Sequence, residues 1–132
     1  MAVVIDKVAW MHTEGGRALS ARSRGKGTCY LPGGKRELGE SGIDTLVREI
    51  GEELRAAIAP ESGTLLGVFE AQAHGHPDGF VVVRMTCYTA EFEGRPEASG
   101  EIEEAVRLTY RDWHRTSSVD RIIFDHLHAV GC

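Results

Sequence analysis

At 132 residues the chain has the usual size of one domain and can bury a core without disulfide or metal staples. Its 42% hydrophobic and 27% charged content is ordinary for a globular protein. A formal charge of -5 with no dense Lys/Arg stripe excludes a protein that coats nucleic acid.

The segment from Met1 to His12 sets Asp6 and Lys7 within a short apolar stretch and has no basic leader, so Val3 to His12 reads as a strand and not a signal peptide. Glu14-Gly15-Gly16 is turn chemistry, and a hairpin to a second short strand over Arg17 to Arg22 is expected. A polar, basic stretch from Ser23 to Lys26 leads to Cys29-Tyr30-Leu31, and Pro32-Gly33-Gly34 breaks the chain sharply. A helix is predicted over Gly42 to Ala57, with Ser41 as N-cap and Asp44 completing an arrangement like a capping box; Pro60 helps to stop it. At about 100° per residue, Ile43, Leu46, Val47, Ile50, Leu54 and Ala57 share one arc. Glu49, Glu52 and Glu53 occupy the adjoining arc, and Arg55 points away from both.

Thr64 to Ala73 and Phe80 to Phe92 read as strands joined by His74-Gly75-His76-Pro77-Asp78-Gly79, the second suited to the centre of a sheet. Gly94 to Glu104 is predicted as an acidic loop, Val106 to Tyr110 as a last strand and Val119 to Val130 as an amphipathic helix. Trp10 and Phe80 are assigned to the core, His74 and His76 to the surface, and Tyr110 and Trp113 either to the core or to stacking on a base. Interleaved strands and helices without a repeat or linker predict an α/β sandwich in a single domain, residues 1–132. The cysteines, Cys29, Cys87 and Cys132, are odd in number and widely spaced, which predicts reduced thiols in a cytoplasmic protein. No window approaches the ~18 apolar residues of a membrane span, so a soluble chain with no membrane partner is expected.

Three carboxylates at i, i+3 and i+4 on one side of a helix repel one another unless a cation sits between them. Hard divalent cations prefer such oxygen ligands and bind substrate phosphates as well, so the cluster points to hydrolysis at a phosphate or pyrophosphate. The plainer alternative is a solvated acidic face. A stability-driven surface would interleave lysine, and this face has only Arg48 and Arg55 nearby. Arg22, Arg24, Lys26 and Lys35 are candidates to receive phosphates, each equally readable as basic surface.

The segment from Gly34 to Ala56 resembles the Nudix box, G-x5-E-x7-R-E-U-x-E-E-x-G-U, where U is a bulky aliphatic. Gly34, Glu40, Arg48, Glu49, Ile50, Glu52 and Glu53 match at the required spacings; Arg55 stands where glycine is usual and Ala56 where a larger aliphatic is expected. Tyr30-Leu31-Pro32-Gly33-Gly34 resembles the family's approach to the box. The resemblance implies a Nudix-type α/β/α sandwich with a mixed central sheet and a MutT-like pyrophosphohydrolase using Mg²⁺ or Mn²⁺. Its substrate would be a nucleoside triphosphate or another nucleoside diphosphate linked to a second moiety. On this chain it implies metal ligation by Glu49, Glu52 and Glu53, completed by a backbone carbonyl of Gly33 or Gly34, and an ion pair between Arg48 and Glu40. It further implies an acid from a later loop, for which Glu101 is favoured over Glu103 and Glu104. An ADP-ribose or nucleoside diphosphate sugar pyrophosphatase, a non-catalytic nucleotide-binding module and a protein-interaction face are the competing assignments. The family resemblance is compatible with a homodimer, although no stretch of sequence marks an interface.

Overall fold

The computed structural model describes residues 3–25, 27–72, 81–116, 120–123 and 125. Strand β1 (Val3–Trp10) lies inside a four-stranded sheet of order β5-β1-β8-β7, where β5 is Gly33–Lys35, β7 is Thr64–Gln72 and β8 is Val81–Thr89. β1 runs parallel to β8 in unbroken register from Val3↔Val81 to Trp10↔Tyr88, and the other pairings are antiparallel, so the sheet is mixed. β8 is flanked on both sides, as its long apolar run predicts. A second sheet joins β10 (Ile102–Leu108), β3 (Arg17–Ser23) and β2 (Thr13–Glu14), with β4 (Cys29–Tyr30) also pairing β3. β6 (Ala57–Ile58) and β9 (Phe92–Glu93) form a small antiparallel ribbon.

The expected hairpin exists, but its partners differ from the expectation. Gly15 and Gly16 take φ of 61° and 77°, the doubly left-handed turn that glycine permits, and they join β3 to two-residue β2. β1 itself belongs to the other sheet. The chain changes sheets around His12: Met11 N–H donates to the Tyr88 carbonyl at 2.9 Å, while the His12 carbonyl accepts from Leu19 N–H at 2.9 Å.

Helix α1 (Gly42–Leu54) starts where the sequence predicts. Ser41 Oγ accepts from Asp44 N–H at 3.0 Å and Asp44 Oδ2 accepts from Ser41 N–H at 3.1 Å, a reciprocal capping box. Leu46, Ile50 and Leu54 are fully buried against Val8, Trp10 and Leu19, and each contributes about 1.5–3 kcal/mol of apolar burial. The helix ends earlier than Ala57, because Arg55 turns left-handed at φ 55° and Ala57 enters β6. Pro60 opens a 3-10 turn, Pro60–Ser62, instead of stopping the helix.

On the opposite face, Ala9, Met11, Met85 and Cys87 pack with Leu31, Leu108 and Ile123 between the two sheets. Residues 120–123 and 125 are helical; the rest of the helix expected from Val119 to Val130 lies outside the described residues, as do Phe80, His74, His76 and the Trp113 side chain. The final strand begins at Ile102 and not at Val106, so Glu103 and Glu104 stand on β10 rather than in a loop. Arg22, across the strand pair, favours this: its guanidinium meets Glu103 at 3.1 Å and Glu104 at 3.5 Å, which offsets part of the repulsion between acids that stay half exposed. Cys29 and Cys87 are buried free thiols, the latter pushed up to about 12 by burial, so it stays protonated and unreactive. No described helix is long and apolar enough to cross a membrane.

Candidate active site

The Pro-Gly-Gly elbow brings β5 beside β1 and against α1. Gly33 has φ 147°, and a Cβ there would collide with the Val8 carbonyl, so only glycine permits the approach. A Cβ on Gly34 would come within 2.6 Å of Glu49 Oε1 and 2.7 Å of Oε2, so this glycine leaves room for an acid on the facing helix. Gly33 N–H donates to Glu53 Oε1 at 3.0 Å. The elbow and the acidic arc of α1 are thus joined directly.

Arg48 organises the remaining charge. Its Nε donates to Glu40 Oε2 at 2.8 Å and its Nη2 to Glu40 Oε1 at 2.9 Å, a two-pronged contact. Nη1 donates to Glu49 Oε1 at 2.8 Å and lies 3.7 Å from Glu37 and 3.8 Å from Glu52. Nη2 also donates to the Lys35 carbonyl at 3.2 Å. Glu40 in turn accepts from Glu37 N–H and from Thr45 Oγ1, each at 2.9 Å. The Arg48 hydrogen bonds, then the Glu37 amide, hold the Glu40 carboxyl down at about 2.

Burial acts the other way on the helix acids. It raises Glu49, although Arg48 opposes it, and it pushes Glu53 up to about 7 against the Gly33 hydrogen bond, with Glu49 adding to the rise. The Glu52 side chain is 64% exposed and meets solvent at the rim. Among the described residues, no group of three or more His, Cys, Asp or Glu side chains is arranged to hold a metal ion. Glu49 instead faces Arg48 and Glu53 faces the Gly33 amide.

Glu53, Gly33 and Gly34 line one end of a cleft of about 250 Å³ between the two sheets. Leu31, Met85, Ile102 and Tyr30 form further walls, and among the described residues Lys7 is the other charged side chain lining it. Neither Lys7 nor Tyr30 was singled out from sequence as a site residue. The signal for Lys7 was a charge inside an apolar strand, but its significance depends on register, which puts it on the inward face beside Met85.

Arg22, Arg24 and Lys35 stand outside the cleft lining: Arg22 pairs with Glu103 and Glu104, and Arg24 and Lys35 are exposed. Glu101 is exposed, with its carbonyl accepting from Arg24 N–H at 3.0 Å and its neighbour Ile102 forming part of the cleft wall. Tyr110 turns away to donate to Asp125 Oδ1 at 2.9 Å.

A family model for the NUDIX domain matches residues 6–127. Among solved structures, the chain is similar to the E. coli ORF135 protein, at 21% identity and TM-score 0.76, with 98% of this chain and 94% of that one covered. It is also similar to a MutT NUDIX hydrolase from Burkholderia pseudomallei, at 25% identity and TM-score 0.74 over 92% and 96% of the two chains. No curated protein sequence matches it. The chain belongs to the NUDIX domain family and is a Nudix hydrolase, an enzyme of phosphoanhydride bonds.

Proposed function

We propose that residues 1–132 form a single Nudix domain that cleaves a nucleoside triphosphate, or another nucleoside diphosphate linked to a second moiety, in the MutT manner. The observation that carries this is the direct bond from the Gly33 amide to Glu53 at the end of a cleft sized for one ring system. At about 250 Å³ the cleft lies just below the ~300–1,000 Å³ range of ligand pockets, which favours a mononucleotide over a substrate with two nucleosides.

The chemistry of the donor set suits a hard divalent cation, although Glu49 and Glu53 would have to turn from Arg48 and the Gly33 amide to share one. Every candidate ligand is an oxygen, and half-buried carboxylates that resist ionising alone would ionise readily beside a cation. Glu49, Glu52 and Glu53, with the Gly33 carbonyl, are the groups that would hold Mg²⁺ or Mn²⁺, which when bound neutralises phosphate charge and orients a water for in-line attack. Arg48 keeps Glu49 in place and ties the loop before α1 to the helix through Glu40. Lys35, whose carbonyl touches Arg48, is the candidate cation nearest the elbow to receive phosphates, with Arg22 and Arg24 as further candidates. Glu101 is the candidate loop acid, one peptide from the cleft wall at Ile102. Buried, protonated Cys29 and Cys87 suit a cytoplasmic setting.

The test is a panel of nucleoside triphosphates and nucleoside diphosphate sugars incubated with Mg²⁺ or Mn²⁺ and read by product identity. Inorganic pyrophosphate and a nucleoside monophosphate from a triphosphate support this function. Two phosphomonoesters, from sugar nucleotides only, would move the substrate to the sugar class. Tight nucleotide binding without turnover would reduce the domain to a binding module.

A further inference from the structure

Among the described residues the cleft is lined by two charged side chains, and the function proposed above employs only Glu53. Lys7 is the other. Its neighbours on the inward face of β1, Ile5 and Ala9, pack into the core between the sheets. The register sets Lys7 directly beside Met85 of β8. A position that alternation would make apolar therefore carries an ammonium. Its Nζ lies 5.8 Å from the centroid of the Tyr30 ring, which leans on the same cleft. Its charge is felt by Glu53, whose carboxyl it draws down against the effect of burial, but among the described residues no carboxylate is close enough to pair with it, so its N–H donors remain open to a ligand.

The walls around it set the ligand's shape. Tyr30 supplies an aromatic surface, and Leu31, Met85 and Ile102 supply apolar contacts, in a space of about 250 Å³. A planar heteroaromatic ring fills such a space, with its phosphates leaving toward Glu53. An ammonium donates and never accepts, so it discriminates between ring edges. Guanine presents two adjacent acceptors and uracil a carbonyl oxygen, whereas adenine sets an amino donor beside its acceptor.

We infer that Lys7 is a specificity-determining residue whose ammonium reads a carbonyl oxygen on the edge of a nucleobase held in the Tyr30-lined cleft. This rests on the nucleotide function proposed above, and names bases of the keto class as its preferred substrates. Were the ammonium aimed at a phosphate instead, its removal would weaken all nucleotides alike, whatever their base.

The test uses free nucleosides, which carry no phosphate and need no metal. Calorimetry or NMR titration of guanosine, uridine and adenosine is run on the wild type, Lys7→Met and Lys7→Arg, with melting curves to establish folding. The wild type should bind guanosine and uridine about tenfold or more tightly than adenosine. Lys7→Met should shrink that ratio to within about twofold, and Lys7→Arg should keep it, since both retain a long side chain and only one retains the charge. No preference in the wild type, no nucleoside binding, or an unchanged ratio in Lys7→Met overturns the inference. The kcat/KM values for GTP, UTP and ATP then separate the two proposals. A preserved nucleoside preference with no turnover of any triphosphate refutes the pyrophosphohydrolase and leaves Lys7 as the base reader. Turnover that falls equally for every base in Lys7→Met retains the enzyme and overturns Lys7.

Discussion

Gly33 and Glu53 are bonded to each other, amide to carboxylate at 3.0 Å, although twenty residues separate them. The bond joins the elbow that precedes α1 to the acid on its last turn, and it fixes Glu53 at the end of the cleft. An acid so held is already positioned before any ligand arrives, which reduces the ordering required on binding.

Glu53→Gln keeps an oxygen that can accept from the Gly33 amide and removes only the charge. Burial already resists that charge, so melting temperature should hold or rise slightly. Turnover should nevertheless fall by about 100-fold or more, because losing charge stabilisation in the transition state costs several kcal/mol. Steady-state kinetics beside a melting curve checks both halves, and wild-type turnover would remove Glu53 from the reaction.

Arg48→Ala should reduce both activity and stability, lowering the melting temperature by a few degrees, because Glu40 and Glu49 lose a shared partner. Arg48→Lys should restore little, since a point charge does not reproduce the two-pronged contact with Glu40. The same contact gives a pH dependence. The Glu40 carboxyl, ordinarily at 4.5, is held at about 2 in the fold, so its contribution is complete above 4.5 and declines as pH falls toward 2. Glu40→Gln should flatten the melting-temperature curve over that window; an unaltered curve would count against the pair.

The two glycines of the elbow should respond differently to alanine. Gly33→Ala meets the Val8 backbone at a left-handed φ and should lose about 3 kcal/mol or more, enough to impair folding. Gly34→Ala meets first the end of the Glu49 side chain, which can shift at the expense of its bond to Arg48. It should fold, with a small change in melting temperature, and lose activity about tenfold or more by displacing that carboxylate. Equal effects on folding from both substitutions would contradict this division.

Arg55 occupies the position where the box has glycine, and it adopts the left-handed conformation that glycine would provide. The helix exit is held by Ser99 N–H on the Glu53 carbonyl at 2.8 Å and Glu97 N–H on the Leu54 carbonyl at 2.9 Å, while Arg55 Nε donates to Ser99 Oγ at 3.2 Å. Arg55→Gly removes left-handed strain of about 1–2 kcal/mol but adds unfolded-state freedom of about 0.5–1 kcal/mol and loses an exposed hydrogen bond. The net change should stay within about 1 kcal/mol. Arg55→Ile, β-branched at the same φ, should cost more than about 1 kcal/mol. Chemical denaturation of both variants decides it.

Local features of the fold were legible from sequence because local chemistry sets them. Ser41 and Asp44 start the helix by bonding to each other, and the 3.6 period of Leu46, Ile50 and Leu54 marks its buried face. Sheet membership was not legible, because β1 finds its partners in Gly33–Lys35 and Val81–Thr89, and no nearby residue announces them. The early start of β10 escaped notice for a related reason: Arg22, distant in sequence, supplies the charge that Glu103 and Glu104 need. Box spacing singles out Glu49 and Glu53 as candidates, whereas Lys7 and Tyr30 enter the cleft only through register and the packing of the two sheets.

On the function proposed here, the acids of α1 bind a divalent cation. Titration of Mn²⁺ into metal-free protein, followed by electron paramagnetic resonance of the free ion, measures this without any substrate. Saturable binding by the wild type that weakens at least about tenfold in Glu53→Gln and in Glu52→Gln is the predicted result. Equal Mn²⁺ binding in all three proteins, or none in the wild type, would contradict it.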